Sequence, residues 1–141
     1  MPIGARLLIE TIRKLKVGSL TPREQEESRA TFAPILKKED GRIDWQRPAI
    51  EIDRRVRGFD PWPGSFTRLN DKLLKVHRVK VVSHSTDKSA GEIIRADSGG
   101  FWVAASSGVI SFEEVQLENK KRLLGAEFVK GARVKPGDRL G

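Results

Sequence analysis

The sequence contains no cysteine, which excludes disulfides, thiolate metal sites and cysteine nucleophiles together. It has two histidines, His77 and His84. They lie seven apart with no acidic partner at a metal-ligand spacing, so a zinc site and serine–histidine chemistry are not expected. No stretch approaches the ~20 apolar residues that span a bilayer. The opening residues, Met1 to Ile12, lack the long apolar run and cleavage site of a secretory signal. A phosphate-cradling glycine loop is also missing, because Gly99 and Gly100 sit between two strand candidates and read as a hairpin turn. What is present is positive charge: the formal net charge is +8, the pI about 10.1, and 33% of the residues are charged. A field of that sign attracts polyanions, with nucleic acid first, anionic lipid second and acidic protein third.

The 141 residues hold one domain of ordinary size, or a smaller one with a lead-in segment. Leu7, Leu8, Ile12 and Leu15 recur at helical spacing between charged residues, predicting an amphipathic helix over 5–16 that Gly18 ends. Residues 19–41 are polar. Thr21, Pro22 and Glu24 would suit a capping box, yet nothing after them offers an apolar face, so an extended linker is expected. Pro48 begins a second helix that runs to about Arg57, with Ala49, Ile52 and Val56 on one side and Arg54 and Arg57 opposite. The following FDPWPGSF segment is a stiff loop, since Pro61 and Pro63 fix φ and remove two amide donors. Its aromatic residues are expected to seal the end of a core.

From Leu73 the period becomes two. Runs at 73–82, 91–96, 101–105 and 109–117, with a short strand over 66–69 closed by an Asn70-Asp71 turn, give five strands. Five short strands without long crossovers predict a mainly β fold, a five-stranded barrel of the oligonucleotide-binding kind with short peripheral helices. A helix is expected within 120–130, and the closing VKPGDRLG is expected to be a strand or loop.

No residue set reads as catalytic. Asp40, Asp44, Glu51 and Asp53 are interleaved with Lys37, Lys38, Arg42, Arg47, Arg54 and Arg55, which describes a mixed-sign solvated surface rather than an acid–base pair or magnesium site. Along the long strand, Lys75, Arg78 and Lys80 do not share one face under strict alternation. Convergence of Lys37, Arg54, Arg57 and Lys75 would favour a binding surface, and scatter would favour a domain that only supports its neighbours.

The segment from Lys37 to Phe66, KKEDGRIDWQRPAIEIDRRVRGFDPWPGSF, resembles the start of the C-terminal domain of the methionyl-tRNA formyltransferase family. LTPREQEESRATFAP is similar to the linker before that domain, and GEIIRADSGGFWVAASSGVISFEEVQ to its central strands. The resemblance runs along essentially the whole chain. It implies a helix over 1–18 belonging to an absent catalytic domain, a linker over 19–41, and a tRNA-binding domain over 42–141. It also implies an N-terminal domain in cis that formylates initiator methionyl-tRNA from 10-formyltetrahydrofolate, a cytoplasmic setting, a monomer, and no catalysis or cofactor in this chain. By that resemblance Lys37, Lys38, Arg42, Arg54, Arg55, Arg57, Lys72, Lys75, Arg78 and Arg133 are candidates for phosphate contacts, followed by Lys135. Trp45, Phe59, Trp62, Pro63 and Phe66 are expected to be structural. Sugar-nucleotide formyltransferases and formyltetrahydrofolate dehydrogenases carry a similar domain without needing tRNA, and they are the competing family reading.

Overall fold

The computed structural model describes residues 2–141, and the chain divides into two compact units, one ending at Pro34 and the other Ile35–Gly141. The first unit holds helix α1 (Pro2–Lys16). Its apolar residues Leu8, Ile12 and Leu15 are exposed. Thereafter the chain is extended except for one 3-10 turn at Glu27–Arg29.

The second unit is built on a sheet of six antiparallel strands: β1 (Ser65–Leu69), β2 (Lys72–Val82), β3 (Ile93–Asp97), β4 (Gly100–Ala104), β5 (Val109–Leu117) and β6 (Leu123–Leu124). Their order is β1-β2-β5-β4-β3, with β6 beside the far half of β5. The ladder is open, which corrects the expectation of a closed five-stranded barrel: β1 and β3 do not pair with each other. Between them runs the terminal segment, bridged in isolation to β1 by Leu140 with Leu69 and to the residue just before β3 by Arg139 with Glu92. Leu140 donates its amide to the Gly91 carbonyl at 2.9 Å, and Gly141 to that of Arg68 at 3.1 Å. Alternation patterns could not separate these arrangements, because two-residue contacts carry no period for a sequence to show.

Local chemistry accounts for the turns. Asn70 and Asp71 have φ of 49° and 63°, the left-handed pair that a two-residue hairpin between β1 and β2 requires. Pro136 and Gly137, the latter with φ 91°, form a turn closed by the Asp138 amide on the Lys135 carbonyl at 3.2 Å. That is the Pro-Gly chemistry of a type II turn.

Helix α2 (Ala49–Gly58) buries Ala49, Ile52 and Val56, the face its spacing predicts, and packs on β2 and β5. Helix α3 (Gly125–Ala132) packs on β3, β4 and β5 through Phe128 and lies slightly after the expected segment. Phe112 sits at the centre of the core. Its ring stacks on Phe101 at 4.5 Å and 15° and lies 6.1 Å from Trp45, while Phe101 meets Phe128 at 5.7 Å.

Trp45 ties the approach segment to the sheet. Its Nε1 donates to Thr67 Oγ1 at 3.3 Å, and its carbonyl accepts from the Ser106 amide at 3.1 Å. The Ile43 amide donates to the Phe66 carbonyl at 2.8 Å, and Arg42 bridges Phe66 in parallel. The segment 42–45 thus covers the outer edge of β1, an edge that would otherwise offer unpaired amides.

Truncating Phe101, which is fully buried, removes a stacked ring that the surrounding backbone cannot collapse to replace. Phe101→Ala is expected to lower unfolding stability by about 3–5 kcal/mol, whereas Trp62→Ala, at an exposed ring, should cost under about 1 kcal/mol. Urea midpoints of the two variants check this contrast.

Candidate nucleic-acid interface

The basic residues are organised by an irregularity shared by two strands. β2 and β5 pair Val76 with Val115 and Val79 with Phe112, and between these pairs the register shifts at Arg78, opposite Glu114. Val76, Val79, Phe112 and Val115 are all buried. Two residues on each strand therefore lie between inward positions, and strict alternation is broken. As a result Lys75, Arg78 and Lys80 are all exposed, an arrangement that simple period-two counting denies.

Neighbouring side chains manage this face. Arg78 Nε lies 2.9 Å from Glu113 Oε2 and its Nη2 lies 3.4 Å from Glu114 Oε1. Arg122, just before β6, also pairs with Glu114. That hydrogen bond from Arg122 is the main reason the Glu114 carboxyl is held below its ordinary 4.5; burial opposes it, and the charges of Arg122 and Arg78 add to the lowering. His77 Nε2 and Gln116 Oε1 are 3.2 Å apart.

Next to this face lies a groove of about 480 Å³, walled by the Asp60–Phe66 loop and the start of β2 and carrying Lys38, Lys75, His77 and Arg122. Its position follows from one close approach. Gly41 closes the 3-10 turn Lys38–Gly41, and a Cβ there would collide with the Gly64 carbonyl oxygen. Only glycine lets the lysine-bearing turn lie against the proline loop. Asp40 secures the same turn by accepting the Lys37 amide at 2.7 Å, and Arg55 Nη2 donates to the Asp40 carbonyl at 2.8 Å.

The loop itself departs from expectation. The peptide bonds Asp60–Pro61 and Trp62–Pro63 are cis. Phe59, Pro63 and Phe66 are half-buried and Trp45 is 7% exposed, but Trp62 is 61% exposed and lines the groove instead of sealing the core. The core end is already filled from inside by Trp45 and Phe112.

The candidate residues gather only in part. Lys38 and Lys75 line the groove, with Lys37 immediately before the turn. Arg42 and Arg55, with Arg47, line a small adjoining crevice that shares Val56 and Ser65 with the groove. Arg55 also lies 4.7 Å over the Phe59 ring. Arg54 and Arg57 are exposed on the solvent side of α2, and Arg57 is held by Asp53 at 3.0 Å. Lys72 opens β2 at the hairpin. Arg133 is the left-handed cap of α3, with φ 53°, and Lys135 begins the final turn. Sequence reasoning missed Arg122 and the exposure of Trp62. A position two residues after a polar turn gives Arg122 no periodic signal, and the usual burial of aromatic residues points Trp62 inward.

Among the described residues no group of three or more histidine, cysteine or acidic side chains is placed to hold a metal ion. Asp40, Asp44, Glu51 and Asp53 are instead tied to local partners: Asp44 and Glu51 pair with Arg47, and Asp53 with Arg57. No described helix is long and apolar enough to cross a membrane.

Residues 35–133 match the family described as formyl transferase, C-terminal domain. A methionyl-tRNA formyltransferase of Geobacter sulfurreducens is 45% identical over 139 residues, covering 99% of this chain and 43% of that protein. Another, of Magnetococcus marinus, is 44% identical over 142 residues, covering 100% of this chain and 45% of that protein. The chain therefore spans less than half the length of the curated relatives it matches. Among solved structures, HypX from Aquifex aeolicus in complex with tetrahydrofolic acid has a TM-score of 0.56 and 18% identity over 95% of this chain and 26% of that one, a likeness of fold alone.

Because the lowered Glu114 carboxyl is stabilised by its arginines, that stability is present above its ordinary value of 4.5 and is lost as pH falls through the lowered one. Glu114→Gln should therefore melt below the wild type at neutral pH, with the gap narrowing as pH falls below the ordinary value of 4.5. Melting temperatures across that range check it, and a gap independent of pH would separate Glu114 from the stability of the pair.

Proposed function

Since the chain belongs to the formyl transferase C-terminal domain family, we propose that it is the tRNA-binding part of a methionyl-tRNA formyltransferase, which holds initiator methionyl-tRNA for an N-terminal domain in cis. The observation that carries this reading is the meeting of Lys38, Lys75 and Arg122 at one groove. It is supported by 45% identity to a methionyl-tRNA formyltransferase along 99% of the chain.

The work of this chain is placement. Lysine and arginine on the groove and on the outer face of β2 neutralise backbone phosphates, which fixes orientation without reading sequence. A tRNA held in this way brings its methionyl end to the remote domain with little translational and rotational freedom left to lose. Formyl transfer from 10-formyltetrahydrofolate to the methionine amino group belongs to that other domain. The groove here presents exposed cations rather than an enclosed set of paired donors and acceptors, so these residues do not fit a pterin. A cytoplasmic, monomeric parent with no membrane attachment completes the reading.

A second reading has one observation in its favour. Arg54 and Arg57 lie away from the groove, on the solvent side of α2, as a supporting domain would allow. On that account the chain serves a sugar-nucleotide formyltransferase or a formyltetrahydrofolate dehydrogenase and does not bind RNA.

Titration with methionyl initiator tRNA, an elongator tRNA and a duplex RNA across a salt series separates the two. Affinity is expected to fall steeply with salt. Lys38→Ala and Lys75→Ala should each weaken all three ligands and reduce the logarithmic salt slope by about 1. Preference for the initiator would locate specificity in this domain, equal salt-sensitive binding would make it a general clamp, and no binding at low salt would favour the supporting role.

A further inference from the structure

We propose that Trp62 is a stacking platform for an unpaired base, so that the RNA segment seated in the groove is single-stranded; this rests on the tRNA reading above and sharpens it.

The three tryptophans supply the comparison. Trp45 is buried and spends its Nε1 on Thr67. Trp102 is half-buried, and the Arg95 guanidinium covers its ring at 4.4 Å from the centroid. Trp62 is 61% exposed, and among the described residues it has neither an aromatic partner nor a cation over its face. Leaving so large an apolar ring in water forgoes the burial that stabilises tryptophan elsewhere in the chain. The ring sits between Pro61 and Pro63, whose fixed φ leaves the backbone little freedom to lose when a ligand arrives.

Its surroundings select the occupant. Lys38, Lys75 and Arg122 line the same groove against one lining carboxylate, Asp60. Arg122 is already shared with Glu114, whereas Lys38 and Lys75 make no ion pair among the described residues. Free cations beside a bare aromatic face suit a single strand, whose phosphates follow the charges while a base covers the ring. A duplex keeps its bases stacked inside and has no face to offer. An apolar protein segment could cover the ring, but it would leave the two lysines facing it without counter-charge, so RNA is the better match.

The test is a fluorescence and affinity titration of the whole chain at low salt with hexaadenylate and with duplex RNA of equal phosphate number, using wild type, Trp62→Phe and Trp62→Ala. Urea midpoints verify that each variant is folded. Hexaadenylate is expected to quench the wild-type emission. That quenching should vanish in Trp62→Ala, with affinity about tenfold lower, and Trp62→Phe should recover most of the affinity. Duplex RNA should bind without the quenching. If Trp62→Ala binds hexaadenylate as tightly as wild type, the platform is overturned while lysine-dependent tRNA binding stands, and the ring is assigned to a protein contact. If none of the three chains binds either RNA, both the platform and the tRNA reading fall.

Discussion

The Phe112 ring is the contact around which the second unit is arranged. It is paired across β4 and β5 with Phe101, on which it also stacks, and it faces Trp45 from the approach segment. Its carbonyl sets a further constraint, because a Cβ on Gly125 would strike that oxygen, so the entry of α3 can come close only as glycine. A sheet, an approach segment and a helix thus meet at one residue. Dense packing makes such a junction intolerant of a changed volume.

The surface follows from that junction. With Phe112 and Val115 both turned inward, β5 must accommodate Glu113 and Glu114 between them, and β2 accommodates His77 and Arg78 in the same way. The paired irregularity sets two glutamates beside Arg78 and Arg122, and it leaves Lys75 and Lys80 on the exposed side. Trp45 acts similarly on the other flank. By holding the 42–45 segment along β1 it brings Gly41 against Gly64, and with it the Lys38 turn against the proline loop. Neither Lys38 nor Lys75 is positioned by an ion pair of its own; both are carried to the groove by the packing of the segments that bear them, whereas Arg122 is held by Glu114.

Much of the secondary structure was legible. Ala49, Ile52 and Val56 announced the buried face of α2, Asn70-Asp71 announced the hairpin, and five of the six strands lay where alternation put them. The sixth, Leu123–Leu124, is too short to show a period. Closure of the sheet was overestimated because a count of strands does not state which edges meet. Trp62 was misplaced for a related reason: composition says that tryptophan is commonly buried, while the direction of a side chain on a proline loop depends on what already occupies the core.

By itself, then, the sequence determined the basic charge, the absence of cysteine chemistry, the mainly β character and the segments that carry the family resemblance, since these are properties of residue type and spacing along the chain. Tertiary structure alone decided that Lys38, Lys75, Arg122 and Trp62 share a groove. Those four lie as much as 84 positions apart (122 − 38). Their meeting depends on a register irregularity and a glycine–glycine approach, each set by contacts between distant residues that no local pattern encodes.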